Sequence, residues 1–156
     1  MIEINIPGRE TVKIEHAVFD YNGTLALDGI PLEGILEKLL ILGRDVKVHI
    51  VTADTFGAAG KYINTDIFHL AILDPGDQDK RKRDFIFDLG KEGCAAFGNG
   101  RNDALMLSTA ALGFAVIGPE GACGETLRHS DLVFVSIHDA VDALLHPKRI
   151  AASLRR

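Results

Sequence analysis

The sequence predicts an α/β protein of the doubly wound, Rossmann-like kind. It expects a three-layer fold with a mostly parallel central sheet, formed as one domain over residues 1–156. Three observations predict this. Apolar runs of strand length alternate along the chain with segments patterned at helical spacing, which calls for a parallel sheet covered on both faces. The run Ala17-Val18-Phe19 stops abruptly at a carboxylate, Asp20, and Gly23-Thr24 follow. A strand of this fold delivers a reactive group to the sheet's carboxyl edge in that way. Hydrophobic residues make up 47% and charged residues 25% of 156 residues, enough for one substantial core.

Taken in order, Ile2, Ile4 and Ile6 alternate with polar residues as a strand does, and Pro7-Gly8 is a turn signal. Residues 11–19 form a second extended run into Asp20, so the chain opens with an N-terminal β-hairpin. Pro31 suits the first turn of a helix whose apolar stripe is Leu32, Ile35, Leu36, Leu39 and Leu40, stopped by Gly43. Residues 46–51 read as a buried strand ending at Thr52, with a short helix over 55–63 and a strand over 67–73. Residues 77–89 form a charged helix with Phe85, Ile86 and Leu89 inward. A short strand over 94–97 stops at Gly98. A helix over 102–112, strands over 114–117 and 132–135, and a final helix capped by Ser136 and Asp139 complete the pattern. The basic tail HPKRIAASLRR reads as a solvated helix end, Asp28 as a turn residue and Asp54 as a cap.

The net charge of -5 argues against nucleic acid or anionic membranes as general partners. Cys94 and Cys123 lack metal-type spacing and read as reduced thiols. No apolar run approaches the ~20 residues of a membrane span, and MIEINIPGRE is unlike a signal peptide, so a cytoplasmic location is expected.

Four strand ends converge on one crevice beyond the sheet's carboxyl edge. Asp20 and Asp103 can ligate a hard cation through oxygen, with the Asn99 side-chain oxygen and the Asn22 carbonyl completing the set. Thr52 offers a hydroxyl and Lys80 a point charge to a phosphate, with Lys82 the rival lysine. Gly23 and Thr24 can aim backbone N–H groups at the same anion, and Ala53 and Asn102 complete its surroundings. Asn102 also suits a helix cap that orients Asp103. The six histidines are scattered and none is assigned to chemistry, and Gly98-Asn99-Gly100 lacks the pattern of a dinucleotide loop.

The stretch Asp20-Tyr21-Asn22-Gly23-Thr24, with Thr52, Lys80 and Gly98-Asn99-Gly100-Arg101-Asn102-Asp103, resembles the four signature motifs of the haloacid dehalogenase superfamily. The spacing from Lys80 to the last motif and the Thr52-Ala53-Asp54 triplet resemble most the soluble P-type ATPase-like phosphatases. The resemblance spans residues 14–135. It implies a Mg²⁺-dependent phosphohydrolase in which Asp20 forms an aspartyl-phosphate that water hydrolyses. The resemblance puts Mg²⁺ on Asp20, the carbonyl of residue 22, Asn99 and Asp103, and uses Thr52 and Lys80 to neutralise the transferring group.

Two departures from the family pattern matter. Asn22 stands where most members have an acid that protonates the leaving group, so slow turnover with a bias toward good leaving groups is expected. Asn99 replaces the first aspartate of the fourth motif, so weak Mg²⁺ binding is expected. With 27 residues between Thr24 and Thr52, and 27 between Thr52 and Lys80, no cap domain fits. Capless members act on macromolecules or cover the site with a neighbouring subunit. A homo-oligomer, a tetramer among the options, is therefore expected, using the hairpin and the 27–31 loop. The substrate expected is a phosphorylated small molecule or nucleotide. The alternative is a weakly catalytic phosphate-binding or phosphoacceptor domain.

Overall fold

The computed structural model describes residues 1–53, 57 and 59–155. The chain opens with an antiparallel hairpin, β1 (Ile2–Ile4) and β2 (Val12–Ile14), as its alternation and Pro-Gly turn require. The central sheet has six parallel strands: β3 (His16–Asp20), β6 (Lys47–Thr52), β7 (His69–Ile72), β8 (Cys94–Gly98), β9 (Leu112–Val116) and β10 (Leu132–Phe134). Their order is β10-β9-β8-β3-β6-β7. Counted within this sheet it is the doubly wound order, and the direction of winding reverses between β3 and β8, where such folds open their ligand crevice.

Alternation along the strands splits the core into two layers. Ala17, Phe19, Ala95, Phe97 and Phe114 pack against α1 (Ile35–Leu42) and α6 (Ile137–Leu145). Val18, Val51, Cys94, Ala96 and Ala115 face α3 (Gln78–Leu89) and α4 (Ala104–Thr109). The Phe19, Phe97 and Phe114 rings stack across three adjacent strands at centroid spacings of 4.3 and 4.5 Å. Stacks of this kind add about 0.5–1.5 kcal/mol per pair beyond area burial. Directly beneath the crevice, they fix the strands that carry its residues.

Several elements differ from the expectation. Pro31 opens no helix; it lies in β5 (Ile30–Pro31), which pairs with β4 (Ala26–Leu27). The cause is Asp28-Gly29, whose φ values of 51° and 80° form the two-residue turn that suits a hairpin. The helix begins only at Ile35, after Gly34. The helix expected over 55–63 is seen as α2 (Ala59–Tyr62), and its start, with Asp54, lies outside the described residues. The 102–112 helix divides into a 3-10 turn (Arg101–Asp103) and α4, leaving Leu112 to start β9. Helix α5 (Gly124–Arg128) was not expected. The basic tail forms α7 (Pro147–Leu154), which buries Ile150 against the hairpin side of the core. Ser136 caps α6 by accepting from the His138 amide.

Among the described residues, only β4, β5 and α1 lie between β3 and β6, and no inserted domain is present there. No helix among them is long and apolar enough to cross a membrane.

Candidate active site

Asp20 ends β3 at the point where the winding reverses and is 7% exposed. Lys82 reaches it from α3, with Nζ 2.6 Å from Asp20 Oδ1 and 2.6 Å from Asp103 Oδ1. All three side chains are buried, Lys82 to 1% and Asp103 to 0%. The Asn99 and Gly100 amides donate to Asp103 Oδ2 at 3.0 and 2.9 Å. Asp103 is therefore locked by its own loop, and the loop by Asp103. The Thr24 hydroxyl lies 3.3 Å from both Asp20 Oδ2 and Asn99 Oδ1, and its single proton serves one at a time.

The electrostatics follow from two carboxylates sharing one ammonium. Burial raises the Asp20 pKa to about 7 and the Asp103 charge adds to this, against the Lys82 ammonium and the Tyr21 amide. Burial opposes the Lys82 charge, but Asp20 and Asp103 outweigh it and its pKa rises. With all three ionised the cluster holds one surplus negative charge in a poorly solvated place, which favours a cation.

The structure changes the assignment of the lysine. Lys80 is exposed and lies 3.4 Å from Asp77, itself exposed, and the crevice lysine is Lys82. Residues two apart on a helix point to opposite sides. The signal was available: Lys82, Phe85, Ile86 and Leu89 fall at i, i+3, i+4 and i+7, the inward stripe, and Lys80 is off it.

The phosphate-facing amides also need correction. Gly23 donates its N–H to Ala26 O at 2.7 Å and Thr24 to Tyr21 O at 3.3 Å, so both serve the turn after Asp20. Gly23 has φ 81°, and a Cβ there would collide with the Asn99 carboxamide. Its role is close approach between the first and fourth motifs. The Asn102 side-chain Nδ2 donates to Gln78 Oε1 at 3.1 Å, tying the fourth loop to the start of α3.

Thr52 ends β6 beside β3, buried to 3%, and Ala53 is half-buried. Asn22 is exposed at the crevice mouth. Asn99 is 8% exposed, and its Nδ2 donates to Gly121 O at 3.1 Å. Sequence reasoning missed the support behind this loop. The buried Thr126 hydroxyl donates to Gly100 O at 2.6 Å, and the Cys123 amide donates to Asn99 O at 2.8 Å. A lone threonine in an unassigned segment gave no signal of that role.

Among the described residues no group of three His, Cys, Asp or Glu side chains is placed to hold a metal. The crevice offers two carboxylates, an amide oxygen and backbone carbonyls. This all-oxygen set of few carboxylates suits Mg²⁺, which binds through one or two carboxylates and keeps water and phosphate as its other ligands.

No family model matches the chain. An uncharacterized protein of Methanocaldococcus jannaschii, MJ0073, is 39% identical over 95 residues, which are 61% of this chain and 92% of that protein. Among solved structures, a hydrolase from Legionella pneumophila described as HAD superfamily, subfamily III A, superposes with a TM-score of 0.67 at 18% identity, covering 92% of this chain and 88% of that one. The 3-deoxy-D-manno-octulosonate 8-phosphate phosphatase of Moraxella catarrhalis, in complex with magnesium, phosphate and KDO, gives 0.59 at 19% identity, covering 86% and 87%. The chain thus has the haloacid dehalogenase fold and belongs to the same family as the M. jannaschii protein.

Proposed function

We propose that the protein is a Mg²⁺-dependent phosphohydrolase acting through an aspartyl-phosphate on Asp20. One observation carries the reading: a buried Asp20–Lys82–Asp103 cluster lies at the reversal point of a sheet shared with phosphatases. Asp20 is the nucleophile. Its carboxylate oxygen bonds to phosphorus as the bond to the leaving oxygen breaks, and water later hydrolyses the phosphoaspartate. Lys82 holds the Asp20 carboxylate in place and lies within reach of the charge that spreads over the phosphoryl oxygens, while Thr52 supplies a hydroxyl to them.

Mg²⁺ would be held by Asp20, Asp103, the Asn99 side-chain oxygen and the Asn22 carbonyl, and once bound would neutralise phosphoryl charge. Asn22 cannot give the leaving group a proton, so the reaction favours leaving groups that depart as anions: acyl, aryl and nucleotide phosphates. Loss of a general acid costs about 10²–10⁴-fold. The exposed Ile30 on the β4–β5 hairpin supports self-association at the crevice mouth as the means of covering an uncapped site.

A screen of phosphorylated metabolites with and without Mg²⁺, with Asp20→Asn as the blank, tests the reading. Metal-dependent release of phosphate that the blank lacks supports it. A covalent phosphate trapped on Asp20 without turnover would move the protein to the second reading, a phosphoacceptor domain, which the amides at 22 and 99 favour. Absence of turnover, of trapped phosphate and of beryllofluoride binding rules out both. Sedimentation showing only monomer at micromolar concentration would remove the self-association.

A further inference from the structure

Both amides that depart from the family pattern are followed by glycine: Asn22-Gly23 and Asn99-Gly100. Glycine leaves its backbone nitrogen unshielded, so an Asn-Gly pair is the most prone of asparagine dipeptides to attack by that nitrogen on its own carboxamide. Packing and a φ of 81° impose Gly23, and the tip of the Asn102 side chain crowds Gly100. A Cβ at 23 would collide with Asn99, and one at 100 would lie 2.6 Å from Asn102 Oδ1.

The two pairs sit in different surroundings. Asn99 is 8% exposed, with Oδ1 facing the Thr24 hydroxyl and Nδ2 donating to Gly121 O. The Gly100 N–H is held by the buried Asp103 carboxylate. Bringing the Asn99 carboxamide onto Gly100 N breaks all these bonds in a closed site. Asn22 is exposed and its side chain makes no hydrogen bond among the described residues. Gly23 is buried against Asn99, and of the hydrogen bonds at this pair the Gly23 N–H to Ala26 O bond is the one that has to open.

We propose that Asn22 is a self-modification site, converted by deamidation to the carboxylic acid that the catalytic position lacks, while the fold protects Asn99. Gly23 N attacks Asn22 Cγ, a C–N bond forms as the N–H proton passes to water, and the Cγ–Nδ2 bond breaks to release ammonia. Water then opens the five-membered imide. Cleavage between the ring nitrogen and Cγ leaves aspartate, and cleavage at the backbone carbonyl leaves isoaspartate. The sum is amide plus water giving acid plus ammonia, with no oxidant or other reactant. The aspartate product carries a carboxylic acid two residues past Asp20, where it can protonate a leaving group. That consequence rests on the phosphohydrolase reading; the conversion itself does not.

The experiment ages the full chain at mildly alkaline pH in ¹⁸O-water and maps tryptic peptides 14–38 and 92–101 by fragmentation mass spectrometry. Native protein should gain acid and ¹⁸O at residue 22 at least tenfold faster than at 99, whereas in urea the two should convert at similar rates. Conversion at 99 as fast as at 22 in the native protein, or an unchanged residue 22 while the urea sample converts, overturns the proposal. Asn22→Asp should raise turnover of an alkyl phosphate by about 10²–10⁴-fold, and the aged chain should gain in proportion to its aspartate fraction. If Asn22→Asp gains nothing while residue 22 still converts, the catalytic consequence fails and the modification stands.

Discussion

Replacing Lys82 with methionine isolates the central electrostatic feature, because methionine nearly matches the buried stem and removes only the charge. The substitution leaves Asp20 and Asp103 facing each other without a counter-ion at 7% and 0% exposure. Removing one partner from a buried ionic cluster costs about 3–5 kcal/mol. The same change at Lys80 breaks an exposed pair with Asp77, worth about 0–1 kcal/mol. Urea denaturation at pH 7 should separate the two variants by at least about 2 kcal/mol. The Lys82→Met deficit should also shrink on acidification. Asp20 already has a folded-state pKa above its ordinary value, and losing the ammonium raises it further, so the folded protein takes up a proton the unfolded chain does not. That stability returns as pH falls through the folded pKa and is complete below the ordinary carboxylate value. Phosphorylation of Asp20 should fall by about 10²-fold or more in Lys82→Met and stay near wild type in Lys80→Met. The reasoning is refuted if Lys82→Met lies within about 1 kcal/mol of wild type at pH 7, or if Lys80→Met is the variant that loses phosphorylation.

Other outcomes follow from individual contacts. Burial, with His16, His69 and Lys47 nearby, lowers the His49 pKa from 6.5 to about 4, a difference of roughly 3 kcal/mol at about 1.4 kcal/mol per tenfold. A depressed histidine contributes stability above its unfolded pKa that is lost as pH falls from 6.5 to about 4. Asp20 contributes with the opposite sign over much of that range, so the loss should be plainest in Asp20→Asn protein followed by circular dichroism, and absent once His49→Phe is added. Gly23→Ala places a side chain at φ 81° and against Asn99, and should cost at least about 1–2 kcal/mol by thermal denaturation. Asn99→Asp should lower the Mg²⁺ concentration for half-maximal phosphorylation, and an unchanged value would exclude residue 99 from the metal's surroundings.

The sheet was legible because three of its six strands end in a chemically abrupt step: Phe19 to Asp20, Val51 to Thr52, Phe97 to Gly98. The doubly wound order then follows from chirality and alternation. The lysine was legible in principle, but a run of four basic residues reads as a solvated face until each is placed on the apolar stripe. The β4–β5 hairpin was announced by Asp28-Gly29 and outweighed by Pro31, which suits a strand end as well as a helix start. The paths of the Gly23 and Thr24 amides could not be read, since a loop's backbone bonds depend on partners that no periodicity reveals. The support from Cys123 and Thr126 comes from a segment with weak apolar patterning, held by one short helix and single contacts.

The chain contains no tryptophan and two tyrosines. Tyr21 follows Asp20 directly, is fully buried, and donates its hydroxyl to Gly29 O at 2.9 Å, whereas Tyr62 is 46% exposed. In a Tyr62→Phe background all tyrosine emission therefore originates in the loop next to the nucleophile. Its hydroxyl bond joins that loop to the tip of the β4–β5 hairpin. Ligand arrival, phosphorylation or partner docking at the crevice can then be timed optically, without a label, from a fluorophore one residue away from the reacting carboxylate.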